Sequence, residues 1–267
     1  MFELLPRSRF HPARFDLGRL RDVVVASFDA VRRRLALLTA PQPKGAHTPP
    51  LRLLPGEIAY YARWLAGKAF YPCTLPESDS PKVVILLPGF GADARRMARM
   101  AHELEQAGHK VKRWKLGYNL GPSEERFRQL SDRIVEVHER YGTPVYLVGW
   151  SLGGVFAREM AKLHPERVAK VITLGSPFSH TPWSNHLWRT YQAVTGYPVN
   201  DPPIACDVRA KPPVETVALW SPCDAVISPR AARGLPGERD RAVSVRCTHL
   251  GFADSNEAIL AVGRELA

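Results

Sequence analysis

The stretch from Val145 to His164 restricts the folds open to this chain more than any other. A β-branched and aliphatic run, Val145 to Val148, leads straight into Gly149-Trp150-Ser151-Leu152-Gly153, with another Gly at 154, and a helical pattern runs out of it to His164. A short apolar strand followed at once by a glycine turn and a helix reads as a βα unit of a buried parallel sheet. The G-x-S-x-G spacing has a physical reason. Turning a strand sharply into a helix lifts Ser151 above the sheet edge and crowds its neighbours, and Gly149 and Gly153 carry no Cβ to clash. A serine hydroxyl held there, over a helix N-terminus that favours negative charge, is a candidate nucleophile once a base takes its proton.

The same alternation extends from Lys82 to the end. Strands are expected at 83–87, 109–116, 145–148, 168–174, 214–220 and 242–247, and helices at 93–108, 123–141 (with Ser123 as N-cap), 152–164 and 256–266. This βαβα order predicts an α/β fold, a mostly parallel central sheet with helices on both faces. Residues 81–267 form that domain, and residues 1–80 read as an N-terminal helical extension. In the extension, Leu17, Leu20, Val24, Phe28, Val31, Leu35 and Leu38 fall at spacings of three and four, one apolar stripe of a helix. The expected use of the stripe is packing on the body. The alternative is a basic helix lying on a membrane surface, with Arg32, Arg33 and Arg34 beside the stripe. A proline-rich arm, Ala40 to Pro50, leads to a second helix over 56–70 with Ile58, Tyr61, Leu65 and Ala69 on one side.

Composition removes several function classes. The formal net charge is +11, but the basic residues are scattered and no nucleic-acid motif accompanies them, so nucleic acid is not an expected partner. None of Cys73, Cys206, Cys223 and Cys247 stands in a CxxC pair, and no H-E-x-x-H spacing occurs, so neither a metal nor another cofactor is expected. The N-terminal residues lack the apolar core of a secretory signal and no segment reads as a transmembrane helix. The expected location is cytoplasmic, or peripheral at the membrane through the basic helix.

Four blocks add a resemblance: LLPGFGAD (86–93), LVGWSLGG (147–154), LGSPF (174–178) and WSPCDAVISP (220–229) followed by THLGF (248–252). From about residue 82 the chain resembles the α/β-hydrolase superfamily, and within it the lipase and esterase branch of serine hydrolases. Residues 1–80 lie outside the resemblance. The resemblance implies a catalytic triad with Ser151 as nucleophile. Asp224, in the string Asp-Ala-Val after a strand, is the implied acid, with Asp207 as rival. His249, after the last strand, is the implied base. His180 and His186 precede Asp224 and break the order Ser, Asp, His. The oxyanion hole is expected from the N–H groups of Leu152 and Phe90, the latter on the loop Pro88-Gly89-Phe90-Gly91, with Pro88 where lipases carry His. Serine at the nucleophile position disfavours relatives that use Asp or Cys there.

The residues between the strands ending at Leu174 and starting at Val214 are rich in aromatics and proline. A cap or lid insertion is expected over about 176–213, with Leu187, Trp188 and Tyr191 on a short helix facing Ser151. Trp150, Phe178, Trp183 and Trp188 are the expected substrate-binding residues. Cys223 and Cys247 fall beside Asp224 and His249, and the sequence leaves open whether they form a disulfide or stay two thiols. The expected activity is hydrolysis of a small-molecule or lipid carboxylic ester through an acyl-enzyme. The alternatives are an acyltransferase using the same triad and a non-catalytic binding module on a hydrolase fold.

Overall fold

A computed structural model describes residues 17–66 and 73–267. The sheet is built from β1 (Val83–Leu87), β2 (Lys110–Arg113), β3 (Val145–Trp150), β4 (Val168–Leu174), β5 (Glu215–Trp220) and β6 (Arg241–Ser244). Every pairing is parallel, in the order β2-β1-β3-β4-β5-β6. The helices are α1 (Leu17–Leu38), α2 (Leu54–Leu65), α3 (Ala98–Gln106), α4 (Glu124–Tyr141), α5 (Leu152–Leu163), α6 (Trp188–Thr195), α7 (Pro229–Arg233) and α8 (Asn256–Leu266).

Pleating divides each strand between two cores. Val84 and Leu86 pack with Met100 and Leu104 of α3 and Ile259 and Val262 of α8. Val83, Ile85 and Leu87 point the other way, to Ile134 of α4 and Phe156 and Met160 of α5. Both faces are thus covered, which is why the strands read as unbroken apolar runs. Ser123 caps α4, its side chain accepting from Arg126 N, and Gly142 ends that helix in the left-handed region.

The strand order places the site. β1 lies between β2 and β3, so the connections leaving the C-terminal ends of β1 and β3 depart to opposite faces. A crevice opens where they part, and ligands of open parallel sheets collect at such a point. Here it lies between the loop after Leu87 and the turn after Trp150, brought side by side by the pairing of Leu87 with Gly149.

The extension differs from expectation in which side faces in. Phe28, Val31, Leu35 and Leu38 of the α1 stripe are exposed, Phe28 at 72%, as is Val25 off the stripe. The side chains of Leu17, Leu20 and Val24 lie outside the described residues, as do residues 1–16 and 67–72 and with them Ala69. α1 touches the body along α6 through polar groups: Arg34 Nη1 donates to the carbonyls of Ala193 (2.7 Å) and Val194 (2.5 Å), and Gln192 Nε2 donates to Leu37 O (3.1 Å). These carbonyls end α6 unpaired within the helix, and a guanidinium satisfies them where an apolar stripe could not. α2 is turned likewise. Ile58, Tyr61 and Leu65 face outward while Glu57 is buried.

Candidate active site

Ser151 stands at the tip of the β3–α5 turn with φ 54° and ψ −122°, a strained conformation for a residue with a Cβ. The turn is closed by Ser151 N donating to Leu174 O (2.8 Å) and Gly154 N donating to Ser151 O (3.0 Å). Its tightness fixes its glycines. A Cβ at Gly149 would lie 2.4 Å from the backbone of Gly153, and one at Gly153 would lie 2.2 Å from Leu87 O. Backbone cannot yield at such distances, so any side chain there would push α5 off the sheet.

The loop after β1 approaches equally closely. A Cβ at Gly89 would meet the Ser151 Cβ and the Trp150 ring at 3.1 Å. Buried Asn119 holds the loop in place, donating from Nδ2 to Pro88 O (2.8 Å) and accepting at its carbonyl from Gly91 N (2.8 Å). Ala92 N donates to Gly89 O (3.1 Å). Phe90 N–H, between these engaged groups, has no acceptor among the described residues. Leu152 N–H, in the first turn of α5, has none either. Phe90, Ser151 and Leu152 line one cavity, so these two donors and the hydroxyl share a compartment.

Asp224 and His249 meet beyond the C-terminal ends of β5 and β6, at the edge that carries Ser151. His249 Nδ1 lies 2.8 Å from Asp224 Oδ2, and both residues are buried. The other carboxylate oxygen of Asp224 accepts from Val226 N (2.8 Å) and Ile227 N (2.7 Å), so the acid is held by its own loop. Burial of His249 opposes its charged form. The adjacent Asp224 carboxylate, by charge and hydrogen bond, and the more distant Glu57 outweigh that and raise its pKa above the ordinary imidazole value. Ser151 Oγ makes no hydrogen bond to His249 among the described contacts. The two are joined through Trp150, whose indole Nε1 donates to His249 O (3.0 Å). The rivals lie apart: His186 Nε2 contacts Pro49 O (2.9 Å), and Asp207 caps a turn by accepting from Arg209 N (3.1 Å).

Of the expected substrate-binding residues, the cavity takes Trp188, with Leu187 and Tyr191 from the same helical stretch. Trp150, Phe178 and Trp183 do not line it. Trp150 lies behind Ser151, locked by its bond to His249 O. Phe178 is buried beneath the guanidinium of Arg158, 4.1 Å from its ring centre. That guanidinium in turn donates to the carbonyls of Val208, Arg209 and Ala210, so Phe178 supports the β4–β5 segment from below. Trp183 is half-buried on the approach to α6. The walls include residues the sequence did not single out: Phe127 from α4, Val155 and Phe156 from α5, Val199 and Ile204. The pattern of α4 and α5 marks them as apolar, but which ones face a cavity depends on how the β4–β5 segment folds over them. Cys223 and Cys247 are free thiols; proximity of their segments did not bring a bridge. Among the described residues no group of three or more His, Cys, Asp or Glu could hold a metal ion, and no helix is long and apolar enough to cross a membrane.

Comparison with known proteins agrees with this architecture. The α/β-hydrolase fold family matches residues 82–203. Over those residues the chain matches this family, and its all-parallel six-stranded sheet has the α/β-hydrolase fold. Among solved structures, the mature Bacillus licheniformis lipase BlEst2 superposes with a TM-score of 0.54 at 16% identity, over 74% of this chain and 96% of that one. A hydrolase of 2-hydroxy-6-oxo-6-phenylhexa-2,4-dienoate from Rhodococcus sp. strain RHA1 gives 0.50 at 15% identity, over 71% and 91%. At these identities the likeness is one of fold. Curated relatives match over shorter stretches. Homoserine O-acetyltransferase of Thermus thermophilus is 48% identical over 46 residues, 16% of this chain and 12% of that protein. Human phosphatidylcholine-sterol acyltransferase is 29% identical over 123 residues, 38% and 28% of the two chains. The chain therefore spans well under a third of the length of these curated relatives.

Proposed function

We propose that this chain hydrolyses carboxylic esters through an acyl-enzyme on Ser151. The observation that carries the reading is the shared compartment: a strained serine and two unengaged N–H groups, those of Phe90 and Leu152, open into one cavity with largely apolar walls. Ser151 Oγ attacks the ester carbonyl while His249 Nε2 accepts its proton. The carbonyl oxygen gains the negative charge and is met by the two N–H groups. Asp224 holds Nδ1–H of the imidazolium. The imidazolium returns the proton to the departing alkoxide. Water then repeats the sequence on the acyl-enzyme and frees the acid. Contact between Ser151 and His249 tightens when substrate fills the site, as catalytic hydrogen bonds often do. The β4–β5 segment acts as a cap, with Trp188 and Tyr191 forming an apolar wall suited to an acyl chain.

Acyl transfer to an alcohol is the second reading. It is favoured by the partial matches to an acetyltransferase and to a sterol acyltransferase. One experiment separates the outcomes: hydrolysis of p-nitrophenyl esters from acetate to palmitate, with and without a competing alcohol. Ser151→Ala should abolish labelling by a fluorophosphonate and reduce hydrolysis by about 10⁴-fold or more while the protein stays folded. Labelling that survives in the variant refutes the nucleophile. A dominant alcohol-ester product selects the transferase.

The extension favours a lipid-borne substrate. Its exposed apolar stripe lies beside exposed Arg32 and Arg33, the pairing that holds a helix at an anionic lipid surface. α1 rests on α6, whose Trp188 and Tyr191 wall the cavity, so such a surface would bring lipid esters next to the site.

A further inference from the structure

The buried carboxylate of Glu57 belongs to α2, outside the segment that matches the hydrolase family, yet its hydrogen-bond partners are all in the site. Glu57 Oε1 accepts from His249 N (2.5 Å) and Ala225 N (3.3 Å), and Oε2 accepts from Leu250 N (3.0 Å). Ala225 directly follows Asp224. One carboxylate thus ties the loop carrying the acid to the loop carrying the base, at the backbone of each. A buried carboxylate costs free energy unless its oxygens are satisfied, and here these three amides satisfy it. β5 ends at Trp220 and β6 at Ser244; Ala225 lies in an irregular loop, and His249 caps a short 3-10 turn, Leu250–Ala253. The rest of α2 reinforces the contact. Tyr60 OH donates to Asp254 Oδ1 (2.6 Å), and Asp254 pairs with Arg96, which also donates to Leu250 O (2.9 Å).

We infer that Glu57 is a positioning residue for the ester-cleaving reaction: it holds the Asp224 and His249 loops in register and places a second negative charge behind the imidazole. The inference rests on the proposed serine-hydrolase reading and adds that the N-terminal extension completes the site. Glu57→Gln keeps the volume but removes the charge and turns one acceptor into a donor against Leu250 N–H. The groups facing His249 otherwise stay as they are: Asp224 from the β5–α7 loop, and, across the Trp150 ring, Arg96 paired with Asp254.

The test compares wild type, Glu57→Gln and Glu57→Asp. A loop displacement on the order of 1 Å costs about 100-fold, so kcat should fall by about 10- to 100-fold in Glu57→Gln while KM changes by about twofold at most. Losing a negative charge behind the imidazole favours its neutral form, so the acidic limb of kcat/KM should move to lower pH. The His249 ring resonances should titrate at lower pH by the same amount in NMR, a measurement that needs no substrate. Glu57→Asp, which keeps the charge but not the reach, should restore the limb and not kcat. A folded Glu57→Gln protein with kcat, acidic limb and His249 titration all unchanged overturns the inference. If Glu57→Gln does not fold, the wild-type protein decides. The His249 and Leu250 amide protons must then be shifted downfield and exchange slowly, as bonds to a buried carboxylate require, and ordinary shifts with fast exchange overturn it. Failure of the underlying reading looks different: wild-type protein would take no fluorophosphonate at Ser151.

Discussion

A single side chain acts here mainly through what surrounds it. Ser151 is an ordinary hydroxyl made available by a backbone that Gly149 and Gly153 allow, and His249 is an ordinary imidazole whose charged form is favoured by carboxylates. That preference fixes a sign. Only neutral His249 can accept the serine proton, so activity should rise with pH through its folded-state pKa. Burial lowers that pKa, and Asp224 with Glu57 raises it further than burial lowers it. The acidic limb of kcat/KM should therefore lie above the ordinary imidazole value of 6.5. For stability the same shift runs the other way. Protonated His249 stabilises the fold fully below its unfolded pKa, and this contribution is lost as pH rises through the folded one. A pH–rate profile with its acidic limb at or below the ordinary value would contradict the charge arrangement around His249.

At the scale of elements, the segment between β4 and β5 supplies one wall of the cavity. Its one helix, α6, brings Trp188 and Tyr191 to the cavity, while Arg158 anchors its later residues from α5. Burial holds the Arg158 pKa down to about 10, because its guanidinium lies against Phe178 and is screened from water. It therefore stays charged at neutral pH and keeps its three carbonyl acceptors. Shortening the wall should lengthen the pocket. Trp188→Leu is expected to raise the ratio of kcat/KM for long over short acyl esters by about tenfold, the scale on which apolar pockets discriminate chain length. Trp183→Leu should leave that ratio unchanged, because Trp183 lies off the cavity. Equal ratios in both variants across p-nitrophenyl acetate to palmitate would remove α6 from the acyl pocket.

Across the whole molecule, the extension wraps the face that carries the site. α1 lies along α6, the arm after it passes Arg189, which donates to Ala40 O (2.9 Å), and His186 at Pro49 O, and α2 ends against the His249 loop. Wild-type protein should sediment with vesicles containing anionic lipid, and less so as salt rises. Replacing Phe28 and Leu35 with Asp should release it without lowering hydrolysis of a soluble short-chain ester. Equal sedimentation of both proteins would show that the stripe does not meet lipid.

The sequence alone determined whatever depends on local periodicity and local sterics. The strands from β1 to β5, the capped helix α4 and the β3–α5 turn were legible because apolar runs, an N-cap serine and paired glycines report on neighbours close along the chain. Ser151, Asp224 and His249, which the resemblance implied, follow β3, β5 and β6, and the loops after the strands of a parallel sheet gather at one edge. Only the tertiary structure decided which way amphipathic faces turn. α1 and α2 have the periodicity of packed helices, yet Phe28, Val31, Leu35, Ile58, Tyr61 and Leu65 face out, while Arg34 and Glu57 at the flanks of those stripes satisfy carbonyl and amide groups of the body. The same long-range matching put Trp188 in the cavity and Phe178 under Arg158. It also set Glu57 between the loops of Asp224 and His249, where no spacing along the chain connects a glutamate near residue 60 with a histidine near residue 250. A hydrogen bond between distant segments leaves no period in the sequence, and only the folded backbone shows which amides are left to be satisfied.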